Sequence, residues 1–184
     1  ANSRIEAELQ LPVSMSPAPN DCGLAVGAAW HVQVPTARPP VRDMAYAGPL
    51  LFDDPVALVS SLEATGAIAV ERGVSVERLA DVLAAGAIVG VARGRMEFGP
   101  RALGHRSLLG DPSRLGSKDR LNRLKHREWW RPTAPVVAED DARAVFGHVP
   151  RSPYMSFAPK LTPAAAAALP GIHHFDGTAR PQLV

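Results

Sequence analysis

The apolar positions of this 184-residue chain change their period along its length. Ile5, Ala7, Leu9 and Leu11 alternate with charged and polar residues, which predicts a short helix or its end over residues 1–11. Pro12 and the Ser14–Pro19 run make a loop. Asn20 and Asp21 precede the small apolar run Cys22–Trp30, which predicts a helix with Asp21 as its cap. Residues 33–55 lack a period. Pro35, Pro39, Pro40, Gly48 and Pro49 read there as a linker, with a domain boundary near residue 45. Beyond it short helices alternate with short apolar runs. Pro55–Ala64 predicts a helix that opens on proline, and Ser75 caps a second one that Gly86 ends. Ala67–Val70, Ala87–Ala92, Ser107–Leu109, Ala134–Ala138 and Tyr154–Ala158 read as strands. Ser117–Trp129 is a basic helix, Glu139–Phe146 another, and Thr162-Pro163 opens an alanine helix closed by Leu169-Pro170. Helices alternating with short strands define an α/β chain.

Composition narrows this pattern. At 46% hydrophobic the chain can bury a core, which excludes a disordered tail. One cysteine, Cys22, excludes an internal disulfide framework; it fits a reducing cytoplasm and the role of a small buried residue. No apolar run reaches the roughly 18 residues of a membrane span. The first and last residues, Ala1-Asn2-Ser3-Arg4 and Gln182-Leu183-Val184, read as cut from a longer protein. No nucleophile elbow, phosphate-binding loop, dinucleotide fingerprint or cysteine zinc site is present. His173-His174 is a weak metal signal, because neighbours on a strand face opposite ways.

Charge is less even than the net +2 implies. Arg93–Arg131 holds eleven Lys and Arg against four Asp and Glu, a local net of +7. Two readings fit, a phosphate or polyanion site and a solvated helix face. Within that segment, Gly94–Ser107 gathers three arginines and three glycines with Pro100 between apolar runs. Glycine and proline shape the backbone, and arginine offers an always-charged fork for phosphate or carboxylate. The candidate anion set is Arg95, Arg101, Arg106, Lys125, Arg131 and Arg180, with Glu97 orienting an arginine. Asn122, Lys125 and Glu128 fall three apart on one helix face. Trp129-Trp130 could stack bases, but core packing is the preferred reading.

Three stretches then carry a resemblance. Gly94–Ser107, Leu121–Pro132 and Asp176-Gly-Thr-Ala-Arg180 closely resemble the carboxyl-terminal region of the O-carbamoyltransferases, the NodU/TobZ-like family. The resemblance implies a YrdC-like α/β domain, a twisted mixed sheet with flanking helices, at 45–184. Residues 1–44 are then the tail of an actin-like domain and a linker. It implies an enzyme that uses ATP, Mg²⁺ and carbamoyl phosphate to form carbamoyl-adenylate and passes the carbamoyl group to a small-molecule hydroxyl. Arg101, Lys125, Arg131 and Arg180 match the positions that hold carbamoyl phosphate and form the catalytic set, joined by Arg106 and Asn122. Asn2 matches a nucleotide-contacting loop of the actin-like domain. Asp21, in Pro17–Gly23, matches a ligand of that domain's divalent metal, with iron as a candidate. Asn20 stands for the family's usual glycine and His105 for its frequent asparagine. The family's two metal-binding histidines would precede residue 1, and its site continues past Val184. An RNA-binding module on the basic helix and a non-catalytic nucleotide-binding remnant are the alternatives. No membrane partner is expected, nucleic acid is not the leading partner, and oligomeric state is open.

Overall fold

The computed structural model describes residues 1–34, 36–37 and 44–184, so part of the linker, including Pro35, Pro39 and Pro40, lies outside the described residues. Helix α1 spans Asn2–Leu9 and ends on Gln10 in the left-handed region. A 3-10 turn at Asp21–Gly23 leads into α2, Leu24–Val32. The expected cap is absent: Asp21 lies inside the turn, and Asn20 before it makes no side-chain cap bond. Cys22 is exposed, not buried.

Helices α3 (Pro55–Ala64) and α4 (Val76–Ala84) follow their local signals. Asp54 Oδ1 accepts from the N–H of Val56 and Ala57 at 3.0 and 2.9 Å, and Ser75 Oγ from Arg78 N–H at 3.2 Å. Asp54→Ala removes both bonds at one helix start. The expected loss is about 1 kcal/mol, read as faster hydrogen exchange in 55–64 and a lower urea midpoint. Ala67–Val70, expected as a strand, has no regular structure and is mostly exposed. Four residues with no paired neighbour cannot satisfy a ladder.

Strand β1, Val89–Ala92, pairs antiparallel with β2, Arg106–Leu109, from Val89 opposite Leu109 to Ala92 opposite Arg106. The Arg/Gly stretch is therefore the return of a hairpin. Helix α5 covers Ser117–Leu124, β3 Val136–Val137, α6 Glu139–Phe146, α7 Pro163–Ala168 and β4 Gln182–Leu183. Strands β3 and β4 pair in parallel. Among the described residues the expected single mixed sheet is two separate two-stranded sheets. Tyr154–Ala158 is a turn region with Tyr154 and Phe157 buried, not a strand.

The main core lies where β3, α6 and β4 meet. Val137, Ala142, Phe146, Ile172, Ala179 and Leu183 pack together there. A second cluster joins Ala45, Leu103 and Tyr154. Ala179 and Leu183 anchor the chain on either side of Arg180, and Leu103 anchors the loop beside Arg101. Both anion-site segments thus hang from apolar pegs. The first residues pack on the same body: Asn2 Nδ2 donates to Ser156 O at 2.9 Å and Ala158 N–H to Ser3 Oγ at 2.8 Å. Among the described residues no helix is long and apolar enough to cross a membrane.

Candidate functional site, a cationic cavity

Segment 45–51 runs beside the hairpin return. Gly48 N–H donates to Met96 O, Met96 N–H to Pro49 O, Leu51 N–H to Gly94 O and Phe98 N–H to Ala45 O. Gly99, at φ +116°, faces the Pro17 carbonyl so closely that a β-carbon would collide with it. The return is fastened from inside by Glu97. Its Oε1 accepts from the N–H of Leu103, His105 and Arg106 at 2.7, 2.9 and 3.2 Å. Burial opposes this charge, but the backbone N–H groups outweigh it and hold the carboxyl below its ordinary pKa. Glu97 therefore organises backbone, where it was expected to orient an arginine. Tyr46 stacks on His105 at 4.1 Å and donates its hydroxyl to Leu103 O at 3.0 Å.

The second wall comes from the end of α5. The helix was expected to run to Trp129 but stops at Leu124. His126 adopts φ +50° in the place glycine usually takes. Arg127 N–H bonds Asn122 O at 2.8 Å and His126 N–H bonds Arg123 O at 3.1 Å, which is a Schellman closure. Buried Asn122 then ties down the chain beyond it, its Nδ2 donating to Trp129 O and Arg131 O at 3.3 and 2.9 Å. Trp129 and Trp130 are exposed, against the core-packing expectation. Arg131 lies over the Trp130 ring at 5.4 Å and pairs with Glu128.

The third wall is the segment entering β4. Asp176 Oδ1 accepts from Thr178 N–H, Thr178 Oγ1 and His174 Nδ1 within 3.0 Å, which stiffens the turn before Arg180. The Thr178 hydroxyl bond leads the causes that bring the Asp176 carboxyl down to about 2.

These walls enclose a cavity of about 480 Å³ lined by Arg101, Lys125, Arg127, Arg131 and Arg180. Among the described residues Asp111 is the one carboxylate on its lining, and Ser113 and Arg114 already engage it. Among the described residues no carboxylate pairs with Arg101, Lys125, Arg127 or Arg180. Burial, then the charges of Arg101 and Arg127, lowers the Arg180 pKa, and burial followed by Arg127 lowers that of Lys125. Arg180 Nε is buried without a hydrogen-bond partner. Crowded cations, of which Arg180 is the most withdrawn from water, are stabilised by an anion.

Of the residues expected at the site, Arg101, Asn122, Lys125, Arg131 and Arg180 share this cavity. Arg106 does not line it: the residue is exposed, and β2 contributes Ser107, Leu108 and Leu109 to the lining instead. Arg95 also lies off the lining, its carbonyl bonded to His105 Nδ1 at 2.6 Å. Asn2 is elsewhere, on Ser156. Asp21 is exposed, and among the described residues no group of three His, Cys, Asp or Glu side chains could hold a metal ion. The residues present do not fit a complete metal centre at Asp21, nor one at His173-His174. Arg127 and Gln182 are the cavity residues that sequence reasoning missed.

The basic surplus is also partly accounted for. Arg114 donates to Ala84 O and Arg120 to Gly86 O at the end of α4, where orphan carbonyls and the helix dipole favour cations. They are structural, which shortens any continuous basic face.

Comparison with known proteins agrees in placing these residues in one family. Residues 80–184 match the family described as carbamoyltransferase C-terminus. The chain is 38% identical over 181 residues to nodulation protein NolO of Bradyrhizobium diazoefficiens, covering 94% of this chain and 33% of that protein. It is 38% identical over 175 residues to nodulation protein U of Azorhizobium caulinodans, covering 94% and 29%. It is 35% identical over 173 residues to 3'-hydroxymethylcephem-O-carbamoyltransferase of Amycolatopsis lactamdurans, covering 94% and 32%. The chain thus spans about a third or less of the length of these relatives. With the matched region containing all three cavity walls, the chain belongs to the carbamoyltransferase family through its C-terminal region.

Proposed function

We propose that this chain is the carbamoyl-phosphate-activating part of an O-carbamoyltransferase. The observation that carries it is the set of five cations on one cavity, with Arg180 Nε buried and unpartnered. Carbamoyl phosphate brings the charge that this set lacks. Arg101, Lys125, Arg127 and Arg180 bind and neutralise its phosphate. Arg131 joins them by sharing or releasing Glu128. The same charges meet the phosphates of ATP: water cleaves carbamoyl phosphate to carbamate and phosphate, a carbamate oxygen attacks the α-phosphorus of ATP as pyrophosphate leaves, and a small-molecule hydroxyl then takes the carbamoyl group from the adenylate and releases AMP. Fixed arginine forks aimed at charge that develops in transfer are worth more in a desolvated site than in water. No cavity side chain need serve as a general base.

Mg²⁺ would be held by the nucleotide phosphates, whose charge it would offset, since among the described residues the one lining carboxylate, Asp111, is engaged. The fold we assign to 45–184 is YrdC-like, and residues 1–44 we assign to the tail of an actin-like domain. Both assignments rest on the resemblance carried by Gly94–Ser107, Leu121–Pro132 and Asp176–Arg180.

Thermal shift with carbamoyl phosphate, ATP, both, or an RNA oligomer tests the reading. Carbamoyl phosphate at a hundred times its Kd should stabilise by about 2.7 kcal/mol, and 0.5 M salt should reduce that gain. A shift with RNA and none with carbamoyl phosphate would overturn the proposal.

A further inference from the structure

The cavity, about 480 Å³, suits a larger molecule than carbamoyl phosphate, and its two ends differ. Ser117, Leu121 and Lys125, four residues apart in turn, line it from one face of α5 and its cap. At about 1.5 Å of rise per residue, Ser117 and Lys125 stand ~12 Å apart. The cations gather at the Lys125 end: Arg101 and Arg127 act on Arg180, and Arg127 acts on Lys125. The other end adjoins the turn after β2. A β-carbon on Gly110 would touch Leu121 at 3.5 Å, so that turn lies against the first half of the helix. Gly171 N–H donates to Pro112 O at 2.9 Å, and Ser113 and Arg114 hold Asp111, which fixes the turn. Ser113, and after it Arg114, bring the Asp111 carboxyl below its ordinary pKa, and none of the five cavity cations joins them. Asp111 therefore marks the end remote from those cations.

This remote end is apolar apart from one open hydroxyl. Leu109 and Leu121 flank Gly110 there, and Leu83 comes from the end of α4 that Arg114 holds. Ser117 is only 8% exposed. Its Oγ makes no hydrogen bond among the described residues, and it is not among their sealed, unpaired atoms. The hydroxyl is thus open, and the cavity is the space that this residue lines. A slot of leucines with one hydroxyl gives a phosphate little. It suits a flat, largely apolar group with a polar edge, which a serine can meet as donor or acceptor. Such a group joined to a phosphate at the Lys125 end is a nucleotide.

We propose that the Ser117–Leu121 end of the cavity holds the purine of the adenylate, with its phosphate among Arg101, Lys125, Arg127 and Arg180. This rests on the ATP part of the reading above and makes Ser117 and Leu121 the residues that set nucleotide affinity. Carbamoyl phosphate by itself occupies the cationic end alone.

Calorimetric titration of the 184-residue chain with inorganic phosphate, ribose 5-phosphate and AMP tests it. AMP should bind at least about tenfold more tightly than ribose 5-phosphate, the worth of withdrawing one face of a base from water. Equal binding of the two overturns the purine slot and leaves the anion reading standing. Failure of AMP, phosphate and carbamoyl phosphate alike overturns both readings. Ser117→Ala should weaken AMP about threefold to tenfold by removing one hydrogen bond. Leu121→Trp fills the slot and should weaken AMP at least about tenfold. Both variants should bind inorganic phosphate like wild type, since the cations are untouched. AMP affinity unchanged in both folded variants would overturn the placement and move the base to another surface, such as the exposed Trp130 beside Arg131. Hydrogen exchange on the wild type decides the matter if a variant does not fold. AMP should slow exchange in 108–112 and 117–121 beyond the effect of phosphate, and no difference between the two ligands there overturns the proposal.

Discussion

Arg180→Met is expected to weaken anion binding at least about thirtyfold while raising the stability of the ligand-free protein. The guanidinium is about half withdrawn from water, its Nε has no partner, and Arg101 and Arg127 repel it. Methionine replaces the stem and removes the charge. Exchanging a buried, uncompensated charge for an apolar side chain is neutral to stabilising, here about 1 kcal/mol because the head retains some solvent access. Removing one member of a desolvated charge contact costs about 2–5 kcal/mol of binding, roughly thirtyfold to several thousandfold in Kd. Urea denaturation with and without carbamoyl phosphate reads both effects. At the same ligand concentration, a hundred times the wild-type Kd, the wild type should gain about 2.7 kcal/mol, and the variant should start higher and gain less than about 1 kcal/mol. A variant that is less stable yet still binds would remove Arg180 from the site. Arg180→Lys should fall between, since it restores charge without the two-pronged fork.

The opposed signs follow from how the site is built, and they explain which parts of it were legible in sequence. Local chemistry reads well. Pro55, Ser75 and Thr162 open helices where proline and hydroxyl signals place them, and Glu139–Phe146 has the expected bounds. The apolar run at Ala87–Ala92 does feed the Arg/Gly stretch as β1. What fails is whatever depends on partners far along the chain. Strand β3 meets β4, and Gln182 meets Leu103, across separations that no window of periodicity spans. Arg114 and Arg120 looked like part of an anion-binding face until the end of α4 claimed them. Arg127 was hidden by a wrong helix end. On a continuous helix Lys125 and Arg127, two positions apart, face opposite ways. The left-handed turn at His126, a residue that carries little of glycine's signal, redirects Arg127 into the cavity. Arg106 failed in the opposite sense: it lies in the motif, yet it is exposed and off the cavity lining.

The return from β1 to β2 stands or falls with Glu97. Glu97→Ala leaves the N–H groups of Leu103, His105 and Arg106 without their acceptor, an expected loss of about 3–5 kcal/mol. Arg101 sits inside the loop those bonds close, so anion binding should fail with it. Glu97→Gln is the sharper test, because it keeps the shape and one acceptor oxygen but replaces charge-assisted bonds with neutral ones. At pH 7 it should cost about 1–3 kcal/mol. The pH dependence follows from the direction of the shift. The folded carboxyl has a pKa below its ordinary value, so the folded state binds its proton less readily than the unfolded chain. Its contribution is fully present above the unfolded value of about 4.3 and is lost as pH falls through the folded value. The stability gap between wild type and Glu97→Gln should therefore be constant from pH 7 to about pH 5 and narrow below about pH 4. Asp176, held at about 2, titrates alike in both proteins and cancels from the gap. A gap that widens on acidification would show that Glu97 is protonated in the fold, and would reverse its assignment as the anionic clasp of the loop.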